Sequence, residues 1–110
     1  MRPIPLRLRE QIAEDPYFTV CARKNSQCSG RITIEHVWIY QGTQINELWA
    51  FLPLCWYHHL GKGIDKRENE KLSLQRATDD ELSKYPRRDW AQVRKSLIGY
   101  IPKNGVYCYQ

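Results

Sequence analysis

The sequence predicts an α+β fold: a small core of two strands and a helix, with one helix before it and helices after it. Three observations carry that prediction. The stretch "YFTVCARKNSQCSGRITIEHVWIY" is rich in β-branched and aromatic residues and is broken only by the turn-prone "KNSQCSG". A second apolar run, Trp49 to Leu54, ends in "CWYHH", residues 55–59. From about residue 72 onward, a capping signal and apolar residues at helical spacing replace the strand pattern.

Each element has its own local reason. Pro3 and Pro5 lead into a short helix with Leu8, Ile12 and Ala13 on one face, and Pro16 ends it. Arg31 to His36 reads as a strand, with Ile32 and Ile34 facing the core and Arg31, Thr33 and Glu35 facing away. Residues 41–47, "QGTQINE", read as a loop, and Trp49 to Leu52 as the second strand. A helix begins near Trp56 and ends by "GKG", residues 61–63. "KRENEK", residues 66–71, reads as a charged, solvated stretch. Thr78 to Glu81, "TDDE", has the form of a capping box that opens a short helix ended by Pro86. Trp90, Val93, Leu97 and Ile101 then follow helical spacing.

With 110 residues, 42% of them hydrophobic, and neither repeats nor low-complexity tracts, the chain reads as one folded domain spanning 1–110. Its core is expected at about 17–65 and a helical extension at about 72–102. A domain of this size welcomes a staple. The net charge of +5 and pI near 9.1 suit a polyanionic partner, or simply a soluble surface. All 17 Lys and Arg residues fall at 2–31 and 62–103, with none between Ile32 and Gly61. A neutral centre flanked by basic arms is how a metal-dependent phosphodiester site is often laid out. No apolar run approaches a membrane span, and "MRPIPLRLRE" lacks a secretory apolar region, so a cytoplasmic location is expected. Disulfides are rare there, so Cys21, Cys28, Cys55 and Cys108 read better as metal ligands than as bridges.

Structural zinc takes four soft or borderline ligands, commonly arranged as two hooks. Cys21 and Cys28 form a first hook with a six-residue spacer, and Cys55 and His58 a second at C-x-x-H spacing. The plainer reading makes them buried small apolar residues and a surface histidine. Cys108 looks like a bystander. "ITIEH" leaves Glu35 and His36 at a strand end, where a twist or bulge can aim both at one cleft; a solvated strand edge is the alternative. His59 is the histidine left over. Successive helical residues turn by about 100°, so His58 and His59 should serve different sites. A carboxylate and an imidazole can hold a divalent cation, and another imidazole can act as a general base on water.

"C-x6-C-S-G-R-I-T-I-E-H" followed by "L-P-L-C-W-Y-H-H" resembles the HNH endonucleases, the His-Me finger or ββα-metal family, most closely the small phage and prophage proteins of that group. The resemblance covers residues 21 to about 65. It implies a ββα-metal core with a zinc knuckle. Cys21, Cys28, Cys55 and His58 are implied as the structural zinc cage. His36 is implied as general base, with Glu35 and His59 as ligands of a catalytic divalent ion such as Mg²⁺. The family's middle Asn commonly falls five residues before the second hook, where this chain has Ala50. Asn46 is the nearest substitute, either orienting His36 or bracing its loop, or else an ordinary loop residue. A knuckle shifted by one residue would place His59 on zinc and His58, helped by Asp65, at the other metal.

The expected function is a metal-dependent DNA endonuclease or nickase of a phage-like gene, working in the cytoplasm of a bacterial host. Arg87, Arg88, Arg94 and Lys95 would contact DNA phosphates without reading bases. Two rivals stand beside it: a non-catalytic, zinc-stabilised nucleic-acid-binding module, and a protein-interaction domain docking through the Trp90 helix. Tyr17, Trp38, Tyr40 and Trp49 could stack on bases, but aromatics between strands more often pack the core.

Overall fold

Pro5 leads directly into the first helix of the computed structural model, which describes residues 3–102 of the chain; Cys108 lies outside them. This helix, α1 (Leu6–Glu14), half-buries Leu8 and Ile12 and leaves Ala13 exposed. It stops before Pro16, which opens a 3₁₀ turn (Pro16–Thr19) whose first free N–H, that of Tyr17, donates to the Asp15 carboxylate at 2.9 Å.

The central sheet has two antiparallel strands, β1 (Ile32–His36) and β4 (Phe51–Cys55), in register from Ile32↔Cys55 to His36↔Phe51. The chain between them folds on itself. A small hairpin, β2 (Ile39–Tyr40) and β3 (Thr43–Gln44), reverses through Gln41 and Gly42, both at positive φ, so the expected loop at 41–47 contains a strand. A 3₁₀ turn (Leu48–Ala50) follows, and β4 therefore begins at Phe51, two residues later than expected. The reason is tertiary: the Trp49 carbonyl accepts the Ser73 hydroxyl at 2.6 Å instead of joining the ladder.

Helix α2 (Trp56–His59) leaves β4 without a break and ends at Leu60. The stretch expected to be solvated at 66–71 is instead most of α3 (Lys66–Gln75), so the helical extension starts there and not at about 72. Asp65 caps α3, accepting the Glu68 N–H at 3.3 Å, and the helix buries Glu68 and Asn69 along with Leu72 and Leu74. The capping box forms as expected on α4 (Asp79–Leu82), with Glu81 N–H donating to Thr78 at 3.1 Å and Thr78 N–H to Glu81 at 2.9 Å. The last helix, α5 (Trp90–Leu97), is capped by Asp89. Ile98 leaves helical geometry and Gly99 sits at φ 78°, so Ile101 lies beyond the helix and is 82% exposed.

Two apolar clusters hold these elements together. One gathers Trp38, Trp49, Leu74, Leu82, Trp90 and Leu97; the other surrounds the cysteines with Leu52, Leu54 and Leu72. The Trp38 indole donates to Ser73 Oγ at 2.9 Å, continuing the chain of bonds to the Trp49 carbonyl. Trp38 and Trp49 are thus packing residues, with edge-to-face contacts to Trp90 at 5.2 and 6.0 Å. Among the described residues, no helix is long and apolar enough to cross a membrane.

The facing of β1 differs from expectation. Glu35 is its buried residue, 4% exposed, while Ile32 and Ile34 are only half-buried. Among the described residues this sheet has only its two strands, and the Thr33–Glu35 face is met by α2 and the start of α3, from which His59 and Lys66 reach Glu35.

Candidate metal centre and adjoining cleft

Cys21, Cys28, Cys55 and His58 offer four ligand atoms that all lie within 4.8 Å of one another. His58 Nδ1 is 3.6 Å from the sulfurs of Cys21 and Cys28 and 3.2 Å from that of Cys55. A tetrahedral ion with bonds of about 2.3 Å to sulfur and 2.0–2.1 Å to nitrogen separates those atoms by about 3.5–3.6 Å, so the set fits a structural zinc. Gly30, at φ 80°, makes the fit possible, because a Cβ there would come within 2.6 Å of Trp56 Cβ. The bond from Tyr57 N–H to the Ser29 carbonyl, 3.2 Å, then draws the first hook onto α2.

The electrostatics favour neutral forms of Cys21 and His58. Burial pushes the Cys21 thiol up to about 12, and the neighbouring thiols at Cys55 and Cys28 add to it, so the unliganded cluster resists forming several thiolates. Burial also raises Cys55, but the N–H groups of His58 and Ser29 and the nearby thiols outweigh it and leave the group below its ordinary value. His58 is pushed down to about 4 by burial and by the Arg23 guanidinium, which keeps the ring neutral and ready to ligate. Arg23 donates to the His58 carbonyl at 3.4 Å.

His59, one step around α2, turns to β1. Its Nδ1 is 2.5 Å from Thr33 Oγ1, and that hydroxyl donates to the Leu54 carbonyl at 2.9 Å. A hydroxyl has one proton, so the neutral imidazole must donate through Nδ1. Nε2 then carries a lone pair, 3.5 Å from Glu35 Oε1. A carboxylate oxygen and an imidazole nitrogen so placed could hold a divalent cation. Lys66 Nζ, on a largely exposed side chain, is 3.5 Å from the other oxygen of Glu35.

His36 packs its ring edge against Phe51 at 5.2 Å, and neither ring nitrogen has a hydrogen-bond partner among the described residues. Burial lowers its pKa, partly offset by Glu35 and reinforced by His59. It lines a small cavity together with Glu35, Lys66, Asn69 and Glu70. Glu35 thus meets His59 on one side and lines a cavity with His36 on the other, and His58 is kept apart in the cysteine cluster.

The other expected site residues are placed differently. The Asn46 amide oxygen accepts from Gln44 Nε2 at 2.7 Å, on the hairpin, so Asn46 braces its own loop. Arg94 is a strut, bonded to Asp79 at 2.6 Å and to the Ala77 carbonyl at 2.9 Å. Arg88 lies over the rings of Trp38 and Trp90, at 5.1 and 5.7 Å. The Arg87 N–H donates to the Tyr40 hydroxyl at 2.8 Å, and Arg87 and Lys95 are exposed. Asp65 caps α3 and accepts from the Tyr100 hydroxyl at 2.7 Å. Asn69 was not expected at the cleft. The signal that could have found it is Asp65-x-x-Glu68, a helix start of the same form as Thr78-x-x-Glu81. No family model, curated protein or solved structure matches the chain.

Proposed function

We propose that the chain is a metal-dependent DNA endonuclease or nickase of the HNH type, with a ββα-metal core stapled by zinc. One observation carries the reading: Glu35 lies 3.5 Å from His59 and lines one cavity with His36, while the adjacent His58 sits in the cysteine cluster. Glu35 Oε1 and His59 Nε2 would hold a divalent ion such as Mg²⁺. Bound there, it supplies positive charge to the scissile phosphate and the leaving oxygen. Thr33 fixes the His59 tautomer that leaves Nε2 free to ligate. His36, kept neutral by burial, takes the proton of the attacking water. Arg87, Arg88 and Lys95 are the exposed members of the basic cluster, and Arg87 and Lys95, which are not stacked on tryptophan rings, are suited to the phosphate backbone. Position 50, where the family commonly has its Asn, is a fully buried alanine in the tryptophan cluster.

The test is plasmid cleavage by purified protein with Mg²⁺, Mn²⁺ or Ni²⁺, with and without EDTA. His36→Ala should keep its zinc and its DNA binding, and cleave about 10²–10⁴-fold more slowly. DNA binding without cleavage under all three metals would make the chain a non-catalytic zinc module instead.

A further inference from the structure

The cleft contains more orphaned polar atoms than the proposed chemistry has used so far. Asn69 is 2% exposed, and neither its amide oxygen nor its amide nitrogen has a hydrogen-bond partner among the described residues. The same is true of both nitrogens of His36. Both side chains line one cavity of about 40 Å³. Buried polar groups are paired in some nine cases out of ten or more. Four orphans on two side chains in one cavity therefore mark a place built for something other than protein. A buried amide without a partner costs roughly 1–3 kcal/mol, and a leucine at this position of α3 would avoid that cost, as Leu72 and Leu74 do nearby.

We propose that Asn69 positions the attacking water for His36, an inference that rests on the endonuclease reading. A water needs about 10–15 Å³, so the cavity has room for two or three. Asn69 Oδ1 accepts one proton of the water, which leaves the other directed at the basic nitrogen of His36. The water's oxygen is then free to face Glu35 and Lys66, which line the same cavity. In the step that follows, His36 takes that proton and the water oxygen bonds to phosphorus. The bond from phosphorus to the leaving oxygen breaks, and that oxygen keeps the electron pair and is protonated from solvent. Asn69 acts through the water and His36, so it is a positioning residue. It fills the role that the alanine at position 50 cannot.

Asn69→Leu keeps the branched outline of the side chain, its added bulk taken up by the adjoining cavity, and removes both polar atoms. Its zinc content should be unchanged and its melting temperature equal to or above that of the wild type. Its kcat should fall about 10–100-fold at unchanged KM, as expected when a reacting group loses its orientation. Asn69→Asp, which keeps an acceptor oxygen in the same shape, should retain more of kcat than Asn69→Leu. A second readout needs no cleavage: the ring ¹⁵N shifts of His36 in zinc-loaded protein without added divalent ion should differ between wild type and Asn69→Leu. Identical shifts, or wild-type kcat in Asn69→Leu, would overturn the proposal. A lower melting temperature with unchanged shifts would make Asn69 a structural residue and overturn it equally. If the wild type cleaves nothing, the endonuclease reading fails, and the ring shifts still decide whether Asn69 and His36 are coupled.

Discussion

Replacing either of two adjacent histidines by alanine should have very unequal results. His58 is fully buried, with its Nδ1 at 3.2–3.6 Å from three sulfurs. Structural zinc in comparable sites binds with about 10–16 kcal/mol at neutral pH, so one ligand of four accounts for about 3 kcal/mol. The void left by the ring adds roughly 1–2 kcal/mol. A domain of this length has only about 5–15 kcal/mol of stability in all, so His58→Ala removes a large part of it. At about 4 °C per kcal/mol, the melting temperature should drop by about 16–20 °C and zinc should be lost on desalting. His59→Ala removes one bond, to Thr33, worth about 0.5–1.5 kcal/mol, which corresponds to about 2–6 °C. Its zinc should stay at one equivalent per chain, while cleavage and binding of the second divalent ion weaken. Elemental analysis and thermal melts at one protein concentration measure both quantities. Full zinc in His58→Ala, or zinc loss in His59→Ala, would refute the assignment of the two rings.

Acidification should release the zinc, because ligation needs three thiolates and a neutral imidazole and protons compete for all four. The stabilisation is therefore present at neutral pH and lost as pH falls; zinc retention that does not change into the mildly acid range would contradict the cage. Gly30→Ala should cost about 1–2 kcal/mol for its left-handed backbone, plus the clash with Trp56 Cβ at 2.6 Å. Gly42→Ala, at φ 78° with nothing within 4 Å of its Cβ, carries the backbone part alone, and equal melting temperatures for the two variants would disprove the close approach. Lys66→Met removes a cation 3.5 Å from Glu35, and since an exposed pair is worth about 0–1 kcal/mol, calorimetry with Mn²⁺ should show up to roughly fivefold tighter binding. Weaker binding would mean that Lys66 supports the site instead of competing for it.

The parts of the fold legible in the sequence were those set by local chemistry. Thr78 and Glu81 form their reciprocal cap wherever the rest of the chain lies, and Cys55-x-x-His58 spans one turn that suits a single ion. What could not be read was set by partners distant in sequence. Alternation sends Glu35 outward from β1, and only the arrival of α2 and α3 over that face buries it. The charged run at 66–71 looks solvated because Glu68 and Asn69 are polar, yet both point into the fold once Asp65 starts the helix. Arg94 looks like a phosphate contact until Asp79, fifteen residues earlier, is seen to hold it.

The separation of the two apolar clusters has an optical consequence. Three of the four tryptophans, Trp38, Trp49 and Trp90, are buried in the cluster that does not contain the cysteines. The fourth, Trp56, is 51% exposed and stands on the helix that carries His58. Indole emission therefore divides into a blue component from the tryptophan cluster and a red component from the half that carries the cysteine cluster. Units of unequal stability open separately when one of them loses its tie. Stripping the zinc should disturb the red component first, while the blue one holds until heat or denaturant reaches the tryptophan cluster, so a single spectrum reports which half of the molecule has come apart.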